Sequence, residues 1–183
     1  MERADAARNR AAILRAADDL LATHELEHVS MERVATAAGV GKGTVFHRFG
    51  SREGLMRALV EERVHTLIEA FTSGPPPLGP GAPPTARLTA FFDAVVEMAS
   101  KNVKVMAAFD QAATDRLRSP TYLSWHAHVR GLIAEAQPAL DADLIAHMLL
   151  GSLHSDLILY LMRTGEAPRL AAGLRSMIET LLR

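Results

Sequence analysis

The stretch Gly41-Lys42-Gly43-Thr44 carries the residue types that hold phosphate. Glycine lets backbone approach a ligand closely, lysine supplies a cation, threonine supplies a hydroxyl, and amides at a helix start face an anion. As the opening of a helix these four residues are poor. Two glycines weaken it, and Lys42 opposes the positive end of the helix dipole, costs that make sense beside an anion. Two residues further on, Phe46, His47 and Arg48 offer an apolar contact for thymine methyl groups, a polar group for a base edge and a cation for the backbone. Val45 and Phe49 fall on the inward side of the same helix.

A second set of chemistry-bearing residues lies in the other half of the chain. His126, His128, His147 and His154, with Asp110 and Asp156, carry the imidazole and carboxylate groups that bind transition metals. Their spacing argues against a site, because His126 and His128 point about 200 degrees apart on a helix. The expectation is therefore no metal and no cofactor. Nor does any acid, base and nucleophile set assemble along the sequence, although Asp110 with His128, or His154 with Asp156, is the pairing an enzyme would use. The chain reads as a non-enzyme.

The phosphate-holding residues need two short helices to aim them. Ser30 can cap a helix whose inward positions are Val34, Ala35 and Ala38, and Gly39 can end it in a left-handed conformation. Val40 then turns the chain into the helix that begins near Lys42, with Ala35 small enough for the two to cross closely. This is helix-turn-helix geometry. Around it, apolar residues at helical spacing predict helices over 4–23, 51–72, 85–115, 119–136, 142–164 and 168–182, with Ser51, Ser119 and Asp141 as caps and Pro168 opening the last. Six of the nine prolines fall within 73–84, which must be a loop. The predicted fold is all-α: an N-terminal three-helix helix-turn-helix domain over 1–50, then a larger helical bundle over 51–183.

Composition fits this reading. The net charge is only −1, yet between Gly39 and Arg57 four basic residues (Lys42, Arg48, Arg52, Arg57) face the single acid Glu53, and Arg3, Arg8, Arg10 and Arg15 crowd the start of the chain. The positive charge is local, as a nucleic-acid footprint requires. No apolar run approaches the roughly 20 residues of a membrane span. Residues 1–5 lack the apolar stretch of a signal peptide, and there is no cysteine, so the expected location is the cytoplasm.

The first 70 or so residues resemble the DNA-binding domain of TetR-family repressors. The resemblance is carried by Ala17, Ser30, Met31, Val34, Ala35, Ala38-Gly39-Val40, Gly43-Thr44, Phe46, Phe49, Ser51, Arg52, Glu53 and Leu55. It implies a homodimer that reads a palindromic operator in double-stranded DNA and is released when a small molecule binds the C-terminal helices. The DNA-contacting set is then Ser30, Thr36, Lys42, Gly43, Thr44, Phe46, His47, Arg48 and Arg52. Three positions depart from the family pattern. Glu25 stands where glycine usually ends the first helix, which predicts a differently shaped or strained turn. Phe46 replaces a common tyrosine, and Arg52 replaces a frequent lysine while keeping the phosphate contact.

In the C-terminal half, the residues expected to line an effector pocket are Phe91, Met106, Phe109, Asp110, Tyr122, Trp125, His128 and Asp156, with Phe92, Met98 and Tyr160 nearby. They point to an apolar or aromatic ligand oriented by a few polar groups. Leu149, Leu150, Leu153, Leu157 and Leu161, followed by Leu170, Leu174, Met177, Ile178 and Leu181, supply more apolar surface than one helical face needs. Part of it is expected to meet a second copy, since two DNA half-sites require a two-fold partner. The competing readings are a metal-responsive regulator and an all-α interaction module or enzyme without DNA binding.

Overall fold

Helix ends in this chain follow local cap chemistry. The computed structural model describes residues 2–109, 116–153 and 156–183, and their side chains except those of 2–4, 102–109, 116 and 156–159. Nine α-helices and no strand occur among the described residues: α1 (Glu2–Thr23), α2 (Met31–Ala38), α3 (Lys42–Phe49), α4 (Arg52–Ser73), α5 (Pro84–Phe109), α6 (Pro120–Ala136), α7 (Ala142–Ser152), α8 (Asp156–Arg163) and α9 (Ala167–Leu181). The all-α expectation holds. Ser30, Ser51, Ser119 and Asp141 each cap the helix that follows, accepting from Arg33 N at 3.2 Å, Gly54 N at 3.1 Å, Tyr122 N at 3.1 Å and Leu144 N at 3.1 Å.

One expected helix differs from the periodicity, and another is covered only in part. α5 ends among the described residues at Phe109, and 110–115 lie outside them. The single helix expected over 142–164 is instead two, because α7 closes at Ser152 and α8 starts at Asp156. At that end Ser152 Oγ donates to the Leu149 carbonyl at 2.7 Å, and Leu153 N bonds the Leu150 carbonyl at 3.2 Å. Both bonds compete with the regular four-residue ladder and tighten the last turn.

The chain divides into two compact units, Met1–Arg63 and Val64–Arg183, so α4 contributes residues to both, whereas the motif alone suggests a boundary between 50 and 51. Packing explains the difference: Leu55, Met56 and Leu59 of α4 are buried with Ile13, Ala17, Val34 and Val45 in the core of the first unit. Ion pairs Arg10–Glu62 and Arg63–Asp18 join α4 to α1 at its surface. The second unit is built on a continuous core from Leu67 and Phe71 through Phe91, Phe92, Trp125, Val129 and Leu150 to Leu174 and Ile178. No helix among the described residues is long and apolar enough to cross a membrane.

Candidate functional site

In the first unit, Gly39 at φ 66 closes α2. Its amide donates to the Thr36 carbonyl at 3.2 Å while Val40 N donates to the Ala35 carbonyl at 3.0 Å. This paired arrangement needs a left-handed residue, which glycine adopts without a Cβ clash. It reverses the chain into α3, where Val45 is buried and Lys42, Gly43, Thr44, Phe46, His47 and Arg48 are exposed. Val45 anchors the helix, and nearly all of the rest of its surface faces outward. The first turn of α3 has Gly41 before it and no side-chain cap; Thr44 N donates to the Gly41 carbonyl at 2.9 Å, and the amides ahead of it face an external acceptor without competition from a capping side chain. The turn before α2 is unstrained: Glu25 sits at φ −66, ψ 149 and opens a short 3₁₀ turn over Leu26–His28, so no glycine is needed there.

Lys42 has two neighbours on this surface. Its ammonium pairs with Glu32 of α2 and lies 5.4 Å from the centroid of the Phe46 ring. The hydrogen bond from Lys42 is the leading reason the Glu32 carboxyl sits below its ordinary range. A phosphate approaching α3 competes with Glu32 for the same cation. Glu32→Gln is therefore expected to tighten binding to duplex DNA by roughly two- to fivefold, the free-energy range of one exposed ion pair. Fluorescence anisotropy with a labelled duplex measures it, and weaker binding by the variant would contradict this competition.

Other residues of the sequence-derived DNA set take structural parts. Ser30 caps α2, and Thr36 Oγ1 donates back to the Glu32 carbonyl at 3.0 Å while remaining exposed. Arg52 turns inward. Its Nε donates to the Val29 carbonyl at 2.9 Å and its Nη2 to the Leu26 carbonyl, so the guanidinium fastens α4 to the turn before α2. A lysine has a single donor head and cannot span two carbonyls in this way, which accounts for arginine here better than a phosphate contact does. Sequence reasoning missed Glu32, and nothing local marks it, because its partner Lys42 lies on another helix.

In the second unit the structure gathers Phe91, Tyr122, Trp125 and His128, all but His128 buried. Phe91 meets Phe71, Phe92, Trp125 and His128 at ring-centroid distances of 5.6, 5.3, 5.7 and 5.3 Å, and His128 stacks on Phe71 at 4.2 Å. Trp125 Nε1, His128 Nε2 and Arg87 Nε are buried without a hydrogen-bond partner. Arg87, which the sequence did not single out, donates through Nη2 to the Phe71 carbonyl at 3.3 Å. Asp110 lies outside the described residues, as do the side chains of Met106, Phe109 and Asp156. Tyr160 is 60% exposed, so it does not line this core.

Burial, and secondarily the Arg87 cation, push the His128 imidazole down from 6.5 to about 4. Between those values the unfolded chain binds the extra proton and the folded chain does not. Stability contributed by neutral His128 is thus present above pH 6.5 and is lost as pH falls toward 4. Denaturant titrations at pH 7 and 4.5 should show the native protein losing about 2 kcal/mol more than His128→Gln. Equal losses would mean His128 titrates normally in the fold.

His126 and His128 do face apart, as their spacing requires. His126 of α6 stacks on His147 of α7 at 4.0 Å, and Asp143 stands beside them: His126 Nε2 is 3.2 Å from the Asp143 carbonyl oxygen and 3.7 Å from its Oδ1. The Tyr122 hydroxyl lies 2.6 Å from His147 Nδ1. His154 lies outside the described residues.

Residues 13–59 match the family described as bacterial regulatory proteins, tetR family. No curated protein matches the chain. Among solved structures, the chain is similar to a TetR transcription regulatory protein from Mycobacterium vanbaalenii, with 27% identity over 90% of this chain and 98% of that one and a TM-score of 0.58. A TetR transcriptional regulator from Streptomyces coelicolor shares 22% identity over 94% and 95%, with a TM-score of 0.59. The regulator FadR from Bacillus subtilis, solved in complex with stearoyl-CoA, shares 17% identity over 93% and 96%, with a TM-score of 0.63. These likenesses span nearly the whole chain.

Proposed function

We propose that the chain, whose residues 13–59 match the tetR family of bacterial regulatory proteins, is a dimeric, cytoplasmic repressor that reads a palindromic operator and leaves it when a small molecule binds the second unit. The observation that carries the reading is α3 itself: one buried residue, Val45, and an outward surface of Lys42, Gly43, Thr44, Phe46, His47 and Arg48 beginning at an uncapped helix start. Lys42, Thr44 and the first amides hold phosphate, while Phe46, His47 and Arg48 meet the groove. Ser30 and Arg52 act indirectly by fixing the helices that present them.

The effector is an apolar or aromatic molecule bearing acceptor oxygens. The indole Nε1–H of Trp125 and the Nε–H of Arg87 are donors only, so a ligand that satisfies them must accept. Released and bound states differ through α4, the one helix with residues in both units. A ligand that binds the released state better shifts the population toward it. Dimerisation draws on the apolar side chains left exposed by the second unit, Leu144, Met148, Tyr160 and Met177. Leu149, Leu150, Leu174 and Ile178, which the sequence also offered for this purpose, are consumed by the internal core.

The test is a mobility-shift titration with duplex DNA from the gene's own upstream region across a salt series. Saturable binding that weakens steeply with salt is expected. Absence of any salt-sensitive shift would overturn the reading.

A further inference from the structure

We propose that His126, Asp143 and His147 form a binding site for a divalent transition-metal ion of the zinc class, bridging α6 and α7. The inference is independent of the DNA reading and of any relative. One ligand atom from each residue lies within 4.8 Å of the others. Asp143 and His147 are four apart on α7, which puts them on the same face, and His126 reaches them from α6. A tetrahedral zinc with bonds of about 2.0–2.1 Å needs its ligand atoms roughly 3.3 Å apart. The cluster therefore has to close by about 1.5 Å at most, a movement open to the exposed side chains of Asp143 and His147.

Both imidazoles have oxygen neighbours. Nε2 of His126 faces the Asp143 carbonyl at 3.2 Å, and Nδ1 of His147 faces the Tyr122 hydroxyl at 2.6 Å. Nε2 of His126 also lies 3.7 Å from Asp143 Oδ1, so binding the ion exchanges its contact with the carbonyl for one with the metal, whereas the Tyr122 hydroxyl can accept from Nδ1 of His147 and so leave Nε2 of that ring with its lone pair. His126 is held firmly, with only 12% of its side chain exposed, whereas the carboxylate of Asp143 is 66% exposed and open to solvent on the other side. Two neutral nitrogens and one carboxylate suit zinc, nickel, cobalt or copper better than calcium or magnesium, which prefer oxygen ligands. Three protein ligands leave at least one position for water or a further group.

The sequence concealed this set because it weighed His126 against His128, along a single helix. The productive neighbours come from facing helices.

Isothermal titration of the full chain with Zn²⁺ alone tests the site. Saturable binding is expected, with His147→Ala and His126→Ala each weakening it at least tenfold and Tyr122→Phe, which removes only the orienting hydroxyl, weakening it by roughly tenfold. Asp143→Asn guards against a folding defect, since it alters one exposed group and is also expected to weaken binding. A thermal melt should rise with Zn²⁺ in the native protein and not in His126→Ala/His147→Ala. Zinc binding that persists unchanged in Asp143→Asn and the double histidine variant, or no saturable binding by the native protein, would overturn the proposal.

Discussion

Lys42→Ala combined with Thr44→Ala is expected to lower affinity for operator DNA by about tenfold to a hundredfold at physiological salt, by removing a charge-assisted and a neutral hydrogen bond to phosphate. The salt dependence carries more information than the affinity. Losing one lysine contact reduces the slope of log affinity against log salt by about 1, because one fewer counterion is released. Both side chains are exposed, and the Lys42 pair with Glu32 is on the surface, so the fold should be little affected. Anisotropy titrations over a salt series, with circular dichroism on the same samples, separate the two. Unchanged affinity and slope in a folded variant would remove α3 from the interface.

Phe91→Ala is expected to cost about 3–5 kcal/mol of stability, the usual range for deleting a buried phenyl ring. Phe91 has no exposed surface and touches four other rings, contributed by α4, α5 and α6. Those neighbours are themselves packed, so little of the resulting void can close. The sequence reading made Phe91 a lining residue for a ligand, and this variant weighs that role against the core. Denaturant unfolding measures the loss. A cost below about 1 kcal/mol would mean that the ring already borders empty space.

What could be read in advance was what local chemistry decides. Ser30 with Arg33, Gly39 with Ala35 and Thr36, Ser119 with Tyr122 and Asp141 with Leu144 are partners within a few residues, and each cap signal gave the correct helix end. The alternation of buried Val45 with exposed Lys42, Phe46 and Arg48 follows from helical spacing. Long-range partners were hidden. Arg52 looked like a phosphate ligand because its carbonyl acceptors, on Leu26 and Val29, come from a distant turn. Arg87 drew no notice until Phe71 and His128 packed beside it. The histidines illustrate the same limit, since stacking of His126 on His147 depends on how α6 meets α7. Apolar periodicity over 142–164 suggested one helix, and a hydroxyl at Ser152 and a tightened last turn made two.

The uncapped start of α3 has a consequence for how recognition is timed. α2 begins with a serine that secures its first turn, but α3 begins with Gly41 and Gly43 and no side-chain acceptor. In the absence of DNA, the leading amides of α3 should exchange hydrogen with deuterium sooner than those of α2. A phosphate that accepts from them completes the helix as it is bound. Contact and local folding then become one event, and part of the interaction energy is spent on ordering. Because that ordering is needed at any site, each non-matching stretch of DNA bears the same entropic cost without the base contacts that offset it, which shortens the dwell of the protein on the wrong sequence.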